Sequence, residues 1–455
     1  MEPKHAGKVI GEDKPKKWRW AQIAALILIV IAGTFAILNI HFGPPRIESA
    51  SVDKMAFPLP DRPSIAVLPF DNMSGDPKED YFSDGLTEQI ITTLARYPRL
   101  FVIARQSSFS YKGKPVKVQQ VAEELGVQYV LEGSVQKSGD KVRITAQLID
   151  AITGRHVWSE RYDREVKDIF ALQDEITSNV MNGMSAELTE GEQARRWTQS
   201  GDINLIALEK HYQAQGFFCR HTKENYDKAR PMFEEAIALE PKFVWPYVYL
   251  GYLHVGSVSR GFSEDPAKSF QMAFELGQKA LAIDDSHDGA HSLMAINYIV
   301  KRQYDKALSE AERAVALNPN ASDAYMILGN VLAILGRWEE SLLYAKKSLR
   351  LSPFPGAAPF KTLGCAYFMT GQYDESIKAW KKALKVSPNF LEAHVYLAAC
   401  YSSMGRDAEA SAAAKKVLDI NPKFSIESKA KRLYFRNEAD IERVVAALRK
   451  AGLPE

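Results

Sequence analysis

The feature that most constrains this chain is a 34-residue periodicity in its C-terminal half. From about Asp288 to Pro422, four segments end on a proline in a Leu/Val/Ile-x-Pro setting: Leu317–Pro319, Leu351–Pro353, Val386–Pro388 and Ile420–Pro422. Successive prolines stand 34, 35 and 34 residues apart. Proline stops a helix because it lacks the N–H and clashes with the preceding turn. A regular period of this length implies a small unit that is copied and stacked, since one unit alone cannot bury its apolar face.

Within each copy the same residue types recur at the same offsets. One reads Tyr325-x2-Leu328-Gly329, then Gly336, Ser341, Ala345 and Ser348; the next reads Phe360-x2-Leu363-Gly364-x2-Tyr367, Gly371, Ser376, Trp380 and Ala383. The last reads His394-x2-Leu397-Ala398-x2-Tyr401, Gly405, Ala410, Ala414 and Val417, and the first has Met294-Ala295-x2-Tyr298, Ala307, Ala311 and Ala314. Small residues at fixed offsets let helices approach closely, and aromatics fill the remaining space. The pattern resembles the tetratricopeptide repeat. Less regular copies precede it, from Leu205 to Pro241 and from Tyr247 to Asp285, so the reading is about six units over 204–424. The resemblance implies an all-α right-handed solenoid. Ile441, Val444, Val445 and Leu448 form one apolar stripe, so 425–455 is expected to supply capping helices.

Near the N-terminus, a basic stretch (Lys4, Lys8, Lys14, Lys16, Lys17, Arg19) precedes Trp20–Pro45, which holds no charged residue. A bilayer core takes about 20 apolar residues. The expectation is therefore a cytoplasmic tail over 1–19, an uncleaved membrane-spanning helix over 20–43, and a Pro-rich, semi-extended linker over 44–63. That places the protein in a bacterial inner membrane as a single-pass chain, N-terminus cytoplasmic and bulk periplasmic.

From Ser64 the pattern changes to short strands and helices. Ile65–Phe70 reads as a buried strand, followed by a helix around Leu86, Ile90, Ile91 and Leu94 with its entry at Ser83 or Asp84. Leu100–Ile103, a helix over Val118–Leu125, Tyr129–Val135, an alternating Val142–Leu148, His156–Tyr162 and a helix over about Ile169–Leu188 complete the order βαβαβββα, an α+β domain over 64–190. Ser64–Phe70, Tyr81–Glu88, Val130–Val135 and Trp158–Asp163 resemble the TolB amino-terminal-type domain. This domain followed by repeats also resembles the C-terminal, non-catalytic half of bacterial adenylate/guanylate cyclase-like proteins. That resemblance implies an upstream cytoplasmic output domain, whereas only about twenty residues precede the apolar segment; a catalytic half encoded upstream in frame is the alternative.

Composition excludes more than it assigns. The net charge of +2, from 58 basic and 56 acidic residues intermixed along the repeats, argues against a nucleic-acid groove. Cys219, Cys365 and Cys400 lack metal-ligand spacing and read as small packing residues. No phosphate-cradling loop, zinc helix or nucleophile elbow is present, and no cofactor is expected. Asp71 and Asn72 read as turn formers. His287 and His291, four apart, read as a solvated loop rather than a metal pair.

In such solenoids the first helix of each repeat lines the concave face. Carrying that resemblance across selects Asp323, Met326, Asn330, Lys361, Cys365, Phe368, Glu392, Val395 and Ala399, a polar strip with apolar anchors suited to a peptide or helix. The function expected is a non-enzymatic, membrane-anchored scaffold binding protein in that groove. The alternative is a sensory or regulatory component of an adenylate cyclase-type system that lacks its own catalytic domain.

Overall fold

A computed structural model of the protein describes residues 48–184 and 204–455. The expected tail 1–19 and membrane-spanning helix 20–43 lie outside the described residues. Among those described, no helix is long and apolar enough to cross a membrane. The longest, Pro266–Ile283, has 18 residues and buries only Ala273, Gly277 and Ala280, with Lys268, Glu275 and Lys279 outward. A bilayer core demands about 20 apolar residues. The expected fold class is corrected accordingly: the described chain is an α+β domain followed by an all-α solenoid, without the single membrane helix. No helix of the described residues carries the expected single-pass inner-membrane placement.

The described part of the Pro-rich stretch lies along the α+β domain. Ala50 N donates to Ala151 O at 2.7 Å and Ala56 N to Glu123 O at 2.8 Å. The sheet has the order β3-β1-β4-β5-β6, with β1 (Ser64–Val67) parallel to both β3 (Phe101–Val102) and β4 (Tyr129–Ser138). All four β1 residues are buried, as the apolar run demands. β4, β5 (Lys141–Asp150) and β6 (Arg155–Glu165) form an antiparallel meander. Val142, Ile144, Ala146 and Leu148 of β5 point inward. Asp71 and Asn72, read as turn formers, instead make a short strand β2 paired with Ser134 and Val135.

Helix α1 (Asp80–Ala95) begins earlier than Ser83 or Asp84 because a single helical turn, Pro77–Glu79, capped by Asp76, leads directly into it. Helix α2 (Val118–Leu125) ends where Gly126 takes φ +63°, and α3 (Ile169–Gly183) closes the domain. The apolar face of α1 packs on the sheet, yet Ser83, Gly85, Thr87, Glu88 and Gln89 are buried too. Something covers its other side.

That cover is the solenoid. Among the described residues it comprises antiparallel pairs α4/α5 (Leu205–Phe218, Lys223–Leu239), α6/α7 (Val244–Ser259, Pro266–Ile283), α8/α9 (Asp288–Val300, Tyr304–Leu317), α10/α11 (Ser322–Ile334, Trp338–Leu351), α12/α13 (Ala357–Met369, Tyr373–Val386) and α14/α15 (Leu391–Ser403, Asp407–Ile420). Small residues hold each pair together: a Cβ on Gly364 would stand 2.5 Å from the ring of Trp380, which is fully buried. Ser376 Oγ donates to Gly364 O at 2.7 Å, pinning α13 to α12. Two further helices, α16 (Ile426–Lys431) and α17 (Glu438–Lys450), follow the last pair.

Candidate functional site

The inner face of the solenoid meets the chain's own α+β domain along its first half. Tyr212 and Gln215 of α4 lie against α1: Gln215 Nε2 donates to Glu88 Oε1 at 2.7 Å, and the Tyr249 hydroxyl of α6 donates to the same oxygen. Glu88 also pairs with Arg105, whose guanidinium stacks 3.9 Å over Phe109. Burial works against the Arg105 charge, but Glu88 and further acidic neighbours outweigh it, so Arg105 is held above its ordinary value.

The loops entering the first helices complete the contact. Asn320, 2% exposed, donates through Nδ2 to Ala95 O (2.9 Å) and Tyr97 O (3.3 Å), while its Oδ1 accepts from Arg62 Nη2 (3.1 Å) and Val102 N (3.4 Å). Arg350, at the end of α11, donates to Leu125 O, Gly126 O and Pro58 O at 2.8–3.0 Å and lies 4.4 Å over Phe101. It thereby caps the carbonyl end of α2, where a cation meets the negative pole of the helix dipole. Burial pulls its guanidinium down to about 10.

The second half of the inner face is covered by the C-terminal arm, residues 425–455. After the last pair the arm runs back toward α10, where Arg436 N donates to Ile334 O at 2.8 Å, and α17 then returns across the ends of α12 and α14. Arg443 Nη1 donates to Met369 O (2.6 Å), and Ser402 Oγ to Ala447 O (2.7 Å). Val444, Val445 and Leu448 share one buried cluster with Phe368, Val395 and Ala399. Lys429, 8% exposed, pairs with Glu392 and lies 5.6 Å from the Tyr396 ring centroid. Burial opposes the Glu392 charge, but Lys429, with Lys361 beyond it, holds the carboxyl down at about 2.

The residues selected from the sequence are therefore divided. Phe368, Val395, Cys365 and Ala399 are buried, and Glu392 is engaged by the arm. Asp323 and Lys361 are exposed and Met326 and Asn330 half-buried, forming an open strip on α10 and α12. Desolvation by neighbouring protein, with Glu88 adding repulsion, pushes the Asp323 carboxyl above the usual range, an effect that its exposure to water screens.

Other sequence candidates settle into structural roles. His287, expected in a solvated loop, is 1% exposed: its ring stacks edge-on 4.4 Å from Trp245, and its Nδ1 accepts from Ala290 N, capping α8. His291 instead bonds Glu310 and the carbonyl of Asp285. Burial pushes the Cys365 and Cys400 thiols up to about 11 and 12. Among the described residues no cluster of three or more His, Cys, Asp or Glu could hold a metal ion. Sequence reasoning placed Glu88 within the Tyr81–Glu88 resemblance and gave no docking role to it or to Arg105, Asn320, Arg350 and the fully buried His211.

The geometry of the pairs agrees with the family models, which match residues 293–354, 364–405 and 391–424 as tetratricopeptide repeats. The chain carries tetratricopeptide repeats. Residues 61–179 match a different model, "HilA/YgeH-like transcriptional regulator, second domain"; the comparisons do not bear out the TolB-type resemblance. The chain is 40% identical over 249 residues to "Putative adenylate cyclase 3" of Rhizobium meliloti (strain 1021), covering 55% of this chain and 42% of that protein. It is 26% identical over 121 residues to "Anaphase-promoting complex subunit 7" of Homo sapiens, covering 27% of this chain and 20% of that one. The chain thus spans less than half the length of these curated relatives. Among solved structures, a thermophilic repeat protein of Thermus thermophilus aligns with a TM-score of 0.35 and 20% identity, over 43% of this chain and 98% of that one. The repeats form a scaffold of the protein-interaction type.

Proposed function

We propose that the chain is a non-catalytic scaffold that binds a protein or peptide on the strip bearing Asp323, Met326, Asn330 and Lys361, between the α+β domain and the arm. The observation that carries this reading is that the inner face already holds protein segments: α1 and the arm are gripped there by side chains of the first helices. An extended peptide with cationic and anionic ends suits a strip that offers Asp323 on one helix and Lys361 on the next. The test is crosslinked capture by the full chain, wild type against Asp323→Lys and Lys361→Glu, with Lys382→Glu on the outer helix α13 as control. Partners lost from both inner-face variants and kept by the control support the assignment; identical recovery from all four proteins sinks it.

A second, compatible reading is favoured by the 40% identity to a protein named as an adenylate cyclase. On that reading the scaffold is the regulatory segment of an adenylate cyclase-type signalling system, with catalysis supplied elsewhere. The match of the α+β domain to a transcriptional-regulator model fits a regulatory setting. Cyclic AMP formed from ATP by the purified chain alone would refute the non-catalytic assignment.

A further inference from the structure

The arm does not sit where a solenoid needs it. A terminal repeat requires a polar outer face, and α15 already has one: Asp407, Glu409, Ser411, Lys415, Lys416 and Asp419 are all exposed. Instead of stacking as a further helix beyond α15, α17 lies across the inner ends of α12 and α14.

The chemistry of that contact is specific. The last carbonyls of an α-helix lack intrahelical partners and carry the negative end of its dipole. The arm supplies donors to them: Arg443 to Met369 O and Phe368 O, and the backbone of Arg436 to Ile334 O. Below these lies the apolar stripe Val444, Val445 and Leu448, and at the entry the pair Lys429–Glu392. An arginine and a backbone N–H for helix ends, one apolar stripe, and a lysine on the preceding short helix α16 for a groove carboxylate describe an amphipathic helix whose own charges balance, Glu438, Asp440 and Glu442 against Arg443, Arg449 and Lys450. One short connection, residues 421–425, joins the arm to the last pair, so it can leave without breaking any packing between repeats.

We infer that the inner face of α10, α12 and α14 is a receptor for an amphipathic helix that brings an arginine to the helix ends and is preceded by a lysine for Glu392, that the arm is its resident occupant, and that a partner segment of the same chemistry binds by displacing it. This rests on the protein-binding reading and extends it to a covered surface next to the open strip.

The probe is a fluorescent peptide of residues 425–455, titrated by anisotropy against full-length protein. Lys429→Glu with Arg443→Glu loosens the resident arm but leaves the groove intact. This variant should bind the wild-type peptide at least about tenfold more tightly than the wild-type chain does, because truncating a buried charge pair costs that much or more. Adding Glu392→Lys should abolish the gain, and a peptide carrying Lys429→Glu should restore it. Equal binding to wild-type and loosened chains, or no rescue by the charge-swapped peptide, overturns the proposal. Should the loosened chain fail to fold, a protease site placed between Pro422 and Ser425 frees the arm after folding. Exchange of the cut arm for labelled peptide then supports the receptor, and an arm that never exchanges refutes it. Because the assay needs no external partner, its failure leaves the open-strip assignment to be decided by its own charge-reversal test.

Discussion

Gly85 of α1 and Tyr212 of α4 meet so closely that a Cβ at position 85 would lie 2.4 Å from the tyrosine ring. The absence of that one carbon lets the α+β domain seat against the first repeat. Two effects compete in Gly85→Ala: alanine favours the helix by about 1 kcal/mol, while overpacking a rigid contact costs about 1–3 kcal/mol. The ring has no room to move, since it packs edge-on against Phe82 at 6.3 Å and beside His211 at 5.9 Å. The clash should win, lowering the denaturant midpoint of the full chain. A stabilised variant would show that the two surfaces do not touch in solution.

Asn320 is a second fixed point of the same interface. Alanine there removes two donors and an acceptor at once, leaving Val102 N, Ala95 O and Tyr97 O without the Asn320 bonds in a dry setting. An unpaired buried polar group costs about 1–3 kcal/mol, so Asn320→Ala should destabilise by several kcal/mol. Asn320→Asp keeps the acceptor but loses both donated bonds and should fall between. Chemical denaturation of the three proteins ranks them; an Asn320→Asp variant weaker than alanine would instead point to the cost of a buried charge.

How much of this was legible follows from distance along the chain. The Leu-Gly and Trp380 offsets and the helix-stopping prolines recur within one unit, so the solenoid and its lining helices could be read directly. The strands of the α+β domain announce themselves by runs and alternation over a few residues. The docking is a different kind of fact. Gln215 meets Glu88 across 127 residues and Asn320 meets Ala95 across 225, and no local period encodes such pairs. Glycine at 85 looks like a weak helix residue until Tyr212 is placed beside it. The apolar stripe of α17 showed that the helix buries one face, but not that this face turns inward to cover Phe368 and Val395.

His211 gives the interface a pH dependence. It is fully buried among Tyr212, Phe233, Phe243 and Tyr249, with no hydrogen-bond partner at either ring nitrogen. Burial, with His287 adding repulsion, pulls its pKa down to about 3. The unfolded chain takes up a proton near the ordinary value of 6.5 while the folded chain does not, so stability rises with pH across that window and is lost as pH falls. Between pH 7 and 5 the loss through this group is on the order of 2 kcal/mol. His287, pulled down to about 4 chiefly by burial, acts in the same direction. His211→Phe fits the aromatic cage and should flatten the stability profile between pH 7 and 5. An unchanged slope in urea melts at the two pH values would remove His211 as the cause.

The Glu392–Lys429 pair sets an acid limit on the arm in the same way, with the opposite chemistry. Glu392 is held down at about 2 in the folded chain against an ordinary 4.5. Its contribution is complete above the ordinary value and disappears as pH falls toward the folded value, because only the unpaired carboxyl accepts a proton in that interval. The arm should therefore loosen between about pH 4.5 and 2, ahead of the pairs it lies on, α12 to α15, which rest on apolar packing such as Trp380 on Tyr396. Hydrogen exchange over residues 426–450 should accelerate in that range while α12 to α15 stay protected. In Glu392→Gln the arm should exchange faster at neutral pH and show little further change on acidification. If acid opens arm and repeats together, with wild type and Glu392→Gln alike, the pair does not hold the arm in place.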